Sequence, residues 1–140
     1  MRDPFEKPFA QAKPVHPYEW LWEGLAPDPG FVLRSMFGGK SLYLDGKLRL
    51  YFAAKAEPWR GLLVCTDRPH HAALVAEFAE LQPHPILPKW LYLPESTDAF
   101  ERVACQLVTL ARRRDPRLGV ESPNRKKRSP TKSRTRRAQP

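Results

Sequence analysis

Thiols, imidazoles and a dense run of cations are the residues of this chain with the widest chemical reach. Cys65 and Cys105 are the two cysteines. One pair in a chain of this size is no disulfide framework, so both are expected as free thiols in a reducing, cytoplasmic setting. Cys65 falls in an apolar run and belongs to a core. Cys105 lies off the apolar stripe of a helix, and neither has a histidine nearby in sequence to activate it. His70 and His71 are neighbours, which on a helix point about 100° apart and cannot share a metal as an i, i+4 pair would. His16 and His84 stand beside prolines and are expected as exposed loop residues. No phosphate loop, dinucleotide fingerprint, zinc spacing or nucleophile elbow is present. The expectation is a protein without catalytic residues, cofactor or metal.

The cations point elsewhere. Residues 121–140 hold eight Lys or Arg against one Glu, +7 of the total +9, so residues 1–120 are nearly neutral. Arg125, Lys126, Lys127, Arg128, Arg134, Arg136 and Arg137 form a density of charge that would bind phosphates non-specifically and weaken steeply with salt. A second candidate is the alternation Tyr43, Lys47, Arg49 and Tyr51, with Trp59 and Arg60. Such a face could stack on and neutralise a single-stranded nucleic acid. The simpler reading is the solvated side of a two-layer sheet.

These residues must be positioned by a domain. Residues 1–16 carry Pro4, Pro8 and Pro14 and read as a loose arm. They lack the continuous apolar run of a signal peptide. Tyr18, Leu21, Trp22 and Leu25 make a helical stripe after Pro17, ended by Pro27-Asp28-Pro29-Gly30. Phe31–Met36, Ser41–Leu44 and Leu48–Ala54 read as strands, the last two flanking the hairpin signal Asp45-Gly46. A two-residue loop would mix leucines and charges on both faces. A three-residue loop pairs Leu42 with Leu48 and sets Leu42, Leu44, Leu48, Leu50 and Phe52 on one side, which favours the longer loop. Leu62–Thr66 is a further strand. Thr66 or Asp67 then caps a helix running to about Ala79, with Ala72, Val75, Ala76 and Ala79 inward. Gln82–Pro88, rich in proline, suits an edge strand or an irregular crossing, and Trp90–Leu93 is a strand. Ser96 or Asp98 caps a last helix whose stripe is Phe100, Val103, Ala104, Leu107, Val108 and Ala111, with Arg112-Arg113-Arg114 in its final turn. Residues 119–140 are too polar to fold and are expected as a disordered basic tail. No apolar stretch approaches the roughly 18 residues of a membrane span. The domain is therefore residues 17–118, an α+β fold of two layers. Its mostly antiparallel sheet has a hairpin core with helices on one face, in the order α-β3-β-α-β-α.

Met36-Phe37-Gly38-Gly39, followed by Leu42-Tyr43-Leu44-Asp45-Gly46-Lys47, resembles the N-terminal domain of the TfoX/Sxy family. That family's hallmark is an MFGG segment leading into a strand and a DGK hairpin. Trp90-Leu91-Tyr92-Leu93-Pro94-Glu95 and the helix after it are similar to the family's closing segment. The resemblance spans roughly Pro17 to Arg114. The Lys55–Arg60 turn is longer here than in the family and carries Trp59. The resemblance implies a small α+β domain without known catalysis, whose named relatives regulate bacterial competence genes together with a transcription activator. On that basis Met36, Phe37, Gly38, Gly39, Asp45, Gly46 and Lys47 are the motif residues. The MFGG segment is either a recognition loop or a structural bend with Met36 and Phe37 in the core. The implied activity is a non-enzymatic binding or regulatory one, with a transcription-related protein as partner. The alternative is a nucleic-acid-associated protein whose tail supplies the affinity. Neither reading involves a membrane.

Overall fold

The structure, a computed structural model, describes residues 16–121 of the 140-residue chain. The cations at 125–137 and all of the arm except His16 lie outside the described residues. The element order is α1 (Glu19–Trp22, continued by a 3-10 turn at Glu23–Leu25), β1 (Phe31–Met36), β2 (Gly39–Leu44), β3 (Lys47–Ala54) and β4 (Arg60–Val64). A 3-10 turn (Arg68–His70), α2 (His71–Glu77), β5 (Gln82–Pro83), β6 (Leu91–Pro94), α3 (Phe100–Arg112) and β7 (Val120–Glu121) complete it. The strands form one antiparallel sheet in the order β1-β2-β3-β4-β6-β5, with β7 added beside β3. The fold is α+β. No helix among the described residues is long and apolar enough to cross a membrane.

One sheet face is covered by helices. Tyr18, Leu21, Trp22 and Leu25 from the first helical segment, Leu74 and Phe78 around α2, and the whole expected stripe of α3 pack on Leu42, Leu44, Leu50, Phe52, Leu62, Val64, Leu91 and Leu93. The helix α2 departs from its expected inward set. Ala72, Ala76 and Ala79 are exposed, and Leu74, Phe78 and Leu81 are buried instead. Both sets are spaced helically, and the larger side chains remove more apolar area from water. The expected helix caps are absent. Asp67 and Ala99 hold the N-cap positions without a side-chain bond, and the Thr66 hydroxyl donates to Arg117 O at 2.6 Å.

The hairpin differs from expectation, and the difference explains the second face. Asp45 (φ 56°) and Gly46 (φ 81°) are both left-handed, the signature of a two-residue type I′ turn, with Leu44 opposite Lys47. One step on, Tyr43 faces Leu48 but Leu42 faces Leu50, so Arg49 is an extra residue on β3. The bulge returns Leu50 and Phe52 to the helical side and turns Leu48 to the other, where it is buried with Tyr43, Tyr51, Leu63, Cys65, Trp90 and Tyr92. Both faces are therefore covered. The face expected to present Tyr43, Arg49 and Tyr51 is a second apolar layer, and of the expected set only Lys47 and Arg60 are exposed.

Arg49 is buried because the bulge needs it. Its Nε and Nη2 donate to Leu44 O at 3.3 and 3.2 Å, and its Nη1 donates to Leu118 O at 2.8 Å. Burial lowers its pKa. The segment it holds is tied further by Gly119 N to Cys65 O at 2.8 Å, and Val120 and Glu121 then pair with Leu48 and Lys47. The chain thus remains in the sheet beyond residue 118. A Cβ at Gly119 (φ 132°) would press on the Arg49 guanidinium, so glycine serves both backbone and packing there.

Candidate functional site

Among the described residues the second face carries no helix. Its cover is a loop over residues 84–90, the 55–60 turn and the short β7 strand. Between the loop and the β1–β2 turn lies a recess of about 420 Å³, lined by Met36, Phe37, Gly38, Gly39, Tyr51, Ala53, Lys55, Trp59, Ile86, Leu87 and Trp90. That volume is in the range of small-ligand sites.

One wall is the MFGG segment, and each of its residues has a distinct reason to be there. Phe37 (φ 52°) and Gly38 (φ 79°) form a second two-residue left-handed turn, with Met36 opposite Gly39. The Tyr51 hydroxyl donates to Met36 O at 2.8 Å, with Phe37 O at 3.2 Å, and so pins the turn from below. A Cβ at Gly39 would sit 2.5 Å from that hydroxyl, and one at Gly38 would collide with the Lys55 ammonium. Met36 is half-buried against the second-face core. Phe37 is not in the core. It is 83 % exposed, a bulky residue in a backbone region that costs about 1 kcal/mol or more outside glycine and asparagine.

The other wall is organised by His84, which is fully buried rather than exposed. Its Nδ1 accepts from the backbone N–H groups of Ile86 and Leu87, both at 3.0 Å, and its Nε2 lies 2.7 Å from Pro58 O. That pattern requires the proton on Nε2. The ring packs on Trp59 with centroids 4.2 Å apart and edge-on to Tyr92 at 5.0 Å. Three prolines in Pro83–Pro88 deprive the loop of backbone donors. His84 replaces the missing ladder and leaves Ile86 59 % exposed on the rim. Tyr92 anchors the neighbouring turn, its hydroxyl 2.8 Å from both Glu57 Oε1 and Arg60 O, and burial raises its pKa. Trp90 lines the recess, and its indole Nε1 is buried without a hydrogen-bond partner.

The two halves of the sequence motif do not meet. Met36–Gly39 and Asp45–Lys47 bracket β2, about 20 Å apart for six extended residues. Asp45, exposed with Lys47, serves a different structure. Its carboxylate and that of Asp28 share Arg114, which leaves α3 in a left-handed conformation (φ 57°) rather than closing its last turn. Arg114 Nη1 and Nη2 reach Asp28 at 2.8 and 2.9 Å, and its Nε reaches Asp45 at 2.9 Å. These bonds hold both carboxyls below their ordinary value, Asp28 at about 2. Tyr43 lies under the Arg34 guanidinium, 5.7 Å from its ring.

The thiols take no part in the recess. Cys65 is buried in the second face, where desolvation pushes its pKa well up, and Cys105 is exposed on α3. Among the described residues no group of His, Cys, Asp and Glu could hold a metal ion. Of the recess residues, sequence reasoning singled out the MFGG segment, Tyr51 and Trp59. It missed Lys55 and Ile86, and it expected His84, buried behind the recess wall, as an exposed loop residue. The available signal was a histidine between prolines in an otherwise apolar run, Pro83-His84-Pro85-Ile86-Leu87-Pro88. No family model, no curated protein and no solved structure matches the chain.

Proposed function

We propose that this chain is a non-enzymatic binding or regulatory module, of the kind implied by the resemblance to the TfoX/Sxy N-terminal domain, and that the recess beside Met36–Gly39 is where it binds. One observation carries the reading: Phe37 is held, exposed and in an unfavourable backbone conformation, at the mouth of an apolar recess. A structural bend alone would be better served by glycine or asparagine at that position. Glycine at position 37 keeps the turn and removes the aromatic ring. The Phe37→Gly variant should be as stable as wild type or more stable by up to about 1 kcal/mol, as left-handed strain is relieved, while losing partner recovery in a quantitative pull-down against wild type. Unchanged recovery by a folded Phe37→Gly protein would sink the assignment of the binding surface.

The charge of residues 121–140 favours a second reading, a nucleic-acid-associated protein whose tail supplies the affinity. Gel shifts at two salt concentrations, with and without residues 122–140, separate the two. Binding that persists without those residues would remove the tail from the explanation. The buried tyrosines and Arg49 are not available to stack or neutralise a strand, so the second reading rests on the tail.

A further inference from the structure

The walls of the recess also say what class of occupant it suits. Among its described lining residues one is charged, Lys55, and none is a carboxylate. Lys55 stands directly over the Phe37–Gly38 turn, close enough that a Cβ at Gly38 would collide with its Nζ. Its backbone is fixed by Lys55 N to Trp59 O at 2.8 Å, with Arg60 Nη1 at 3.5 Å from its carbonyl. Among the described residues its ammonium has no ion-pair partner. The nearby carboxylates are engaged elsewhere, Glu57 with the Tyr92 hydroxyl and Glu95 with Arg60. Below the ammonium the surface is aromatic and aliphatic.

From this arrangement we infer that the recess takes a small apolar or aromatic monocarboxylate. Its hydrocarbon part lies between Phe37, Trp59 and Ile86, and its carboxylate meets Lys55. The inference rests on the recess being a binding site and adds the ligand class. An apolar body gains from leaving water in proportion to the area buried. A charge-assisted hydrogen bond at the rim then discriminates a carboxylate from a neutral analogue of the same shape.

The test uses the full chain with a matched pair of probes, naphthylacetate and naphthylethanol. Each is titrated by calorimetry, and the tryptophan indole N–H resonances report where it binds. The acetate should bind about tenfold tighter than the alcohol and should shift Trp59 and Trp90, not Trp20 and Trp22. Lys55→Met should bring the acetate down to the alcohol's affinity and leave the alcohol unchanged, and Lys55→Glu should place the acetate below the alcohol. Lys55 is exposed, so these variants keep the fold. Equal affinity for both probes at Trp59 and Trp90 would overturn the carboxylate assignment and leave the recess standing as a binding site. Binding of neither probe would overturn both. A chain that binds the probes only after deletion of residues 1–15 assigns the recess to its own N-terminal arm, and the inference fails.

Discussion

The two faces of the sheet are built from alternate residues of the same strands and solve burial in opposite ways. The helical face is largely aliphatic: Leu42, Leu44, Leu50, Leu62, Val64, Leu91 and Leu93, under three helices. The second face sets the aromatic residues Tyr43, Tyr51, Trp90 and Tyr92 among Leu48, Ala53, Leu63 and Cys65, under loops. Aliphatic surface demands only close packing, which a helix stripe supplies. The Tyr51 and Tyr92 hydroxyls, unlike the Trp90 indole N–H, find partners, and these are carbonyls of irregular segments. Tyr51 holds the Phe37–Gly38 turn, Tyr92 the Arg60 turn, and buried His84 the 84–90 loop. The second face thus carries chain that a rigid sheet positions but does not seal, the usual setting for binding. The recess is what remains between two such segments.

The contrast predicts unequal responses to truncation. Phe52 is fully buried between the sheet and Trp22, with ring centroids 4.8 Å apart. Phe52→Ala should cost about 3–5 kcal/mol, since packed helices cannot collapse into the space. Chemical denaturation would show it as a lower midpoint with an unchanged slope. Trp59 is half-buried on the rim, and Trp59→Ala should cost less than half as much while abolishing probe binding. A similar loss for both would mean the second face is as tightly sealed as the first.

A smaller effect is expected at the junction of sheet and loop. His84→Ala removes one acceptor and one donor and strands Pro58 O and two backbone N–H groups. The cost should be about 1–3 kcal/mol, because the loop can admit water. Hydrogen exchange should quicken at Ile86 and Leu87 and stay slow in α3. Uniform quickening across α3 would show that the two faces unfold together, and the comparison would lose its force.

How far the sequence discloses this arrangement depends on which face is asked about. The stripe Phe100 to Ala111 was legible because helical period and side-chain size agree, and all six residues are buried. The strand at Phe31–Met36 was legible because Gly30 and Gly38 bound it. At α2 period and size disagree, and the alanines misled. Leu48 was illegible for a different reason. A type I′ turn and a bulge each shift register by one, and alternation cannot see two shifts that cancel for Leu50 but not for Leu48. The buried Arg49 and His84 were illegible because their partners are backbone carbonyls and N–H groups, which any sequence possesses. The candidate site was half visible: MFGG announced itself through its glycines, and the opposing wall had only proline spacing to reveal it.

The smallest effect separates the two ends of the β1–β2–β3 meander. The Asp45–Gly46 end is held by ion pairs to Arg114, and the Phe37–Gly38 end by the Tyr51 hydroxyl. Asp28 is lowered from 3.8 to about 2, first by its hydrogen bonds to Arg114 and then by the Gly30 N–H. A carboxyl depressed on folding adds stability above its unfolded value and loses it as pH falls through its folded value. The contribution is therefore complete above about pH 4 and fades toward pH 2. Asp45 is exposed and Asp28 and Arg114 lie part-buried at the surface, so the loss is small and shrinks further in high salt. Acid should lower the protection of the Asp45 amide relative to its intrinsic exchange rate, since its N–H bonds Gly30 O at 3.1 Å. Exchange at Gly39 should follow only the ordinary pH dependence, because burial raises the Tyr51 hydroxyl and it does not titrate in acid. In Arg114→Ala the Asp45 amide should exchange fast already at neutral pH, with no further acid step. An acid step of equal size at both ends would mean that the hairpin tip and the recess wall share one support, and the division between an electrostatic end and a hydroxyl-pinned end would be wrong.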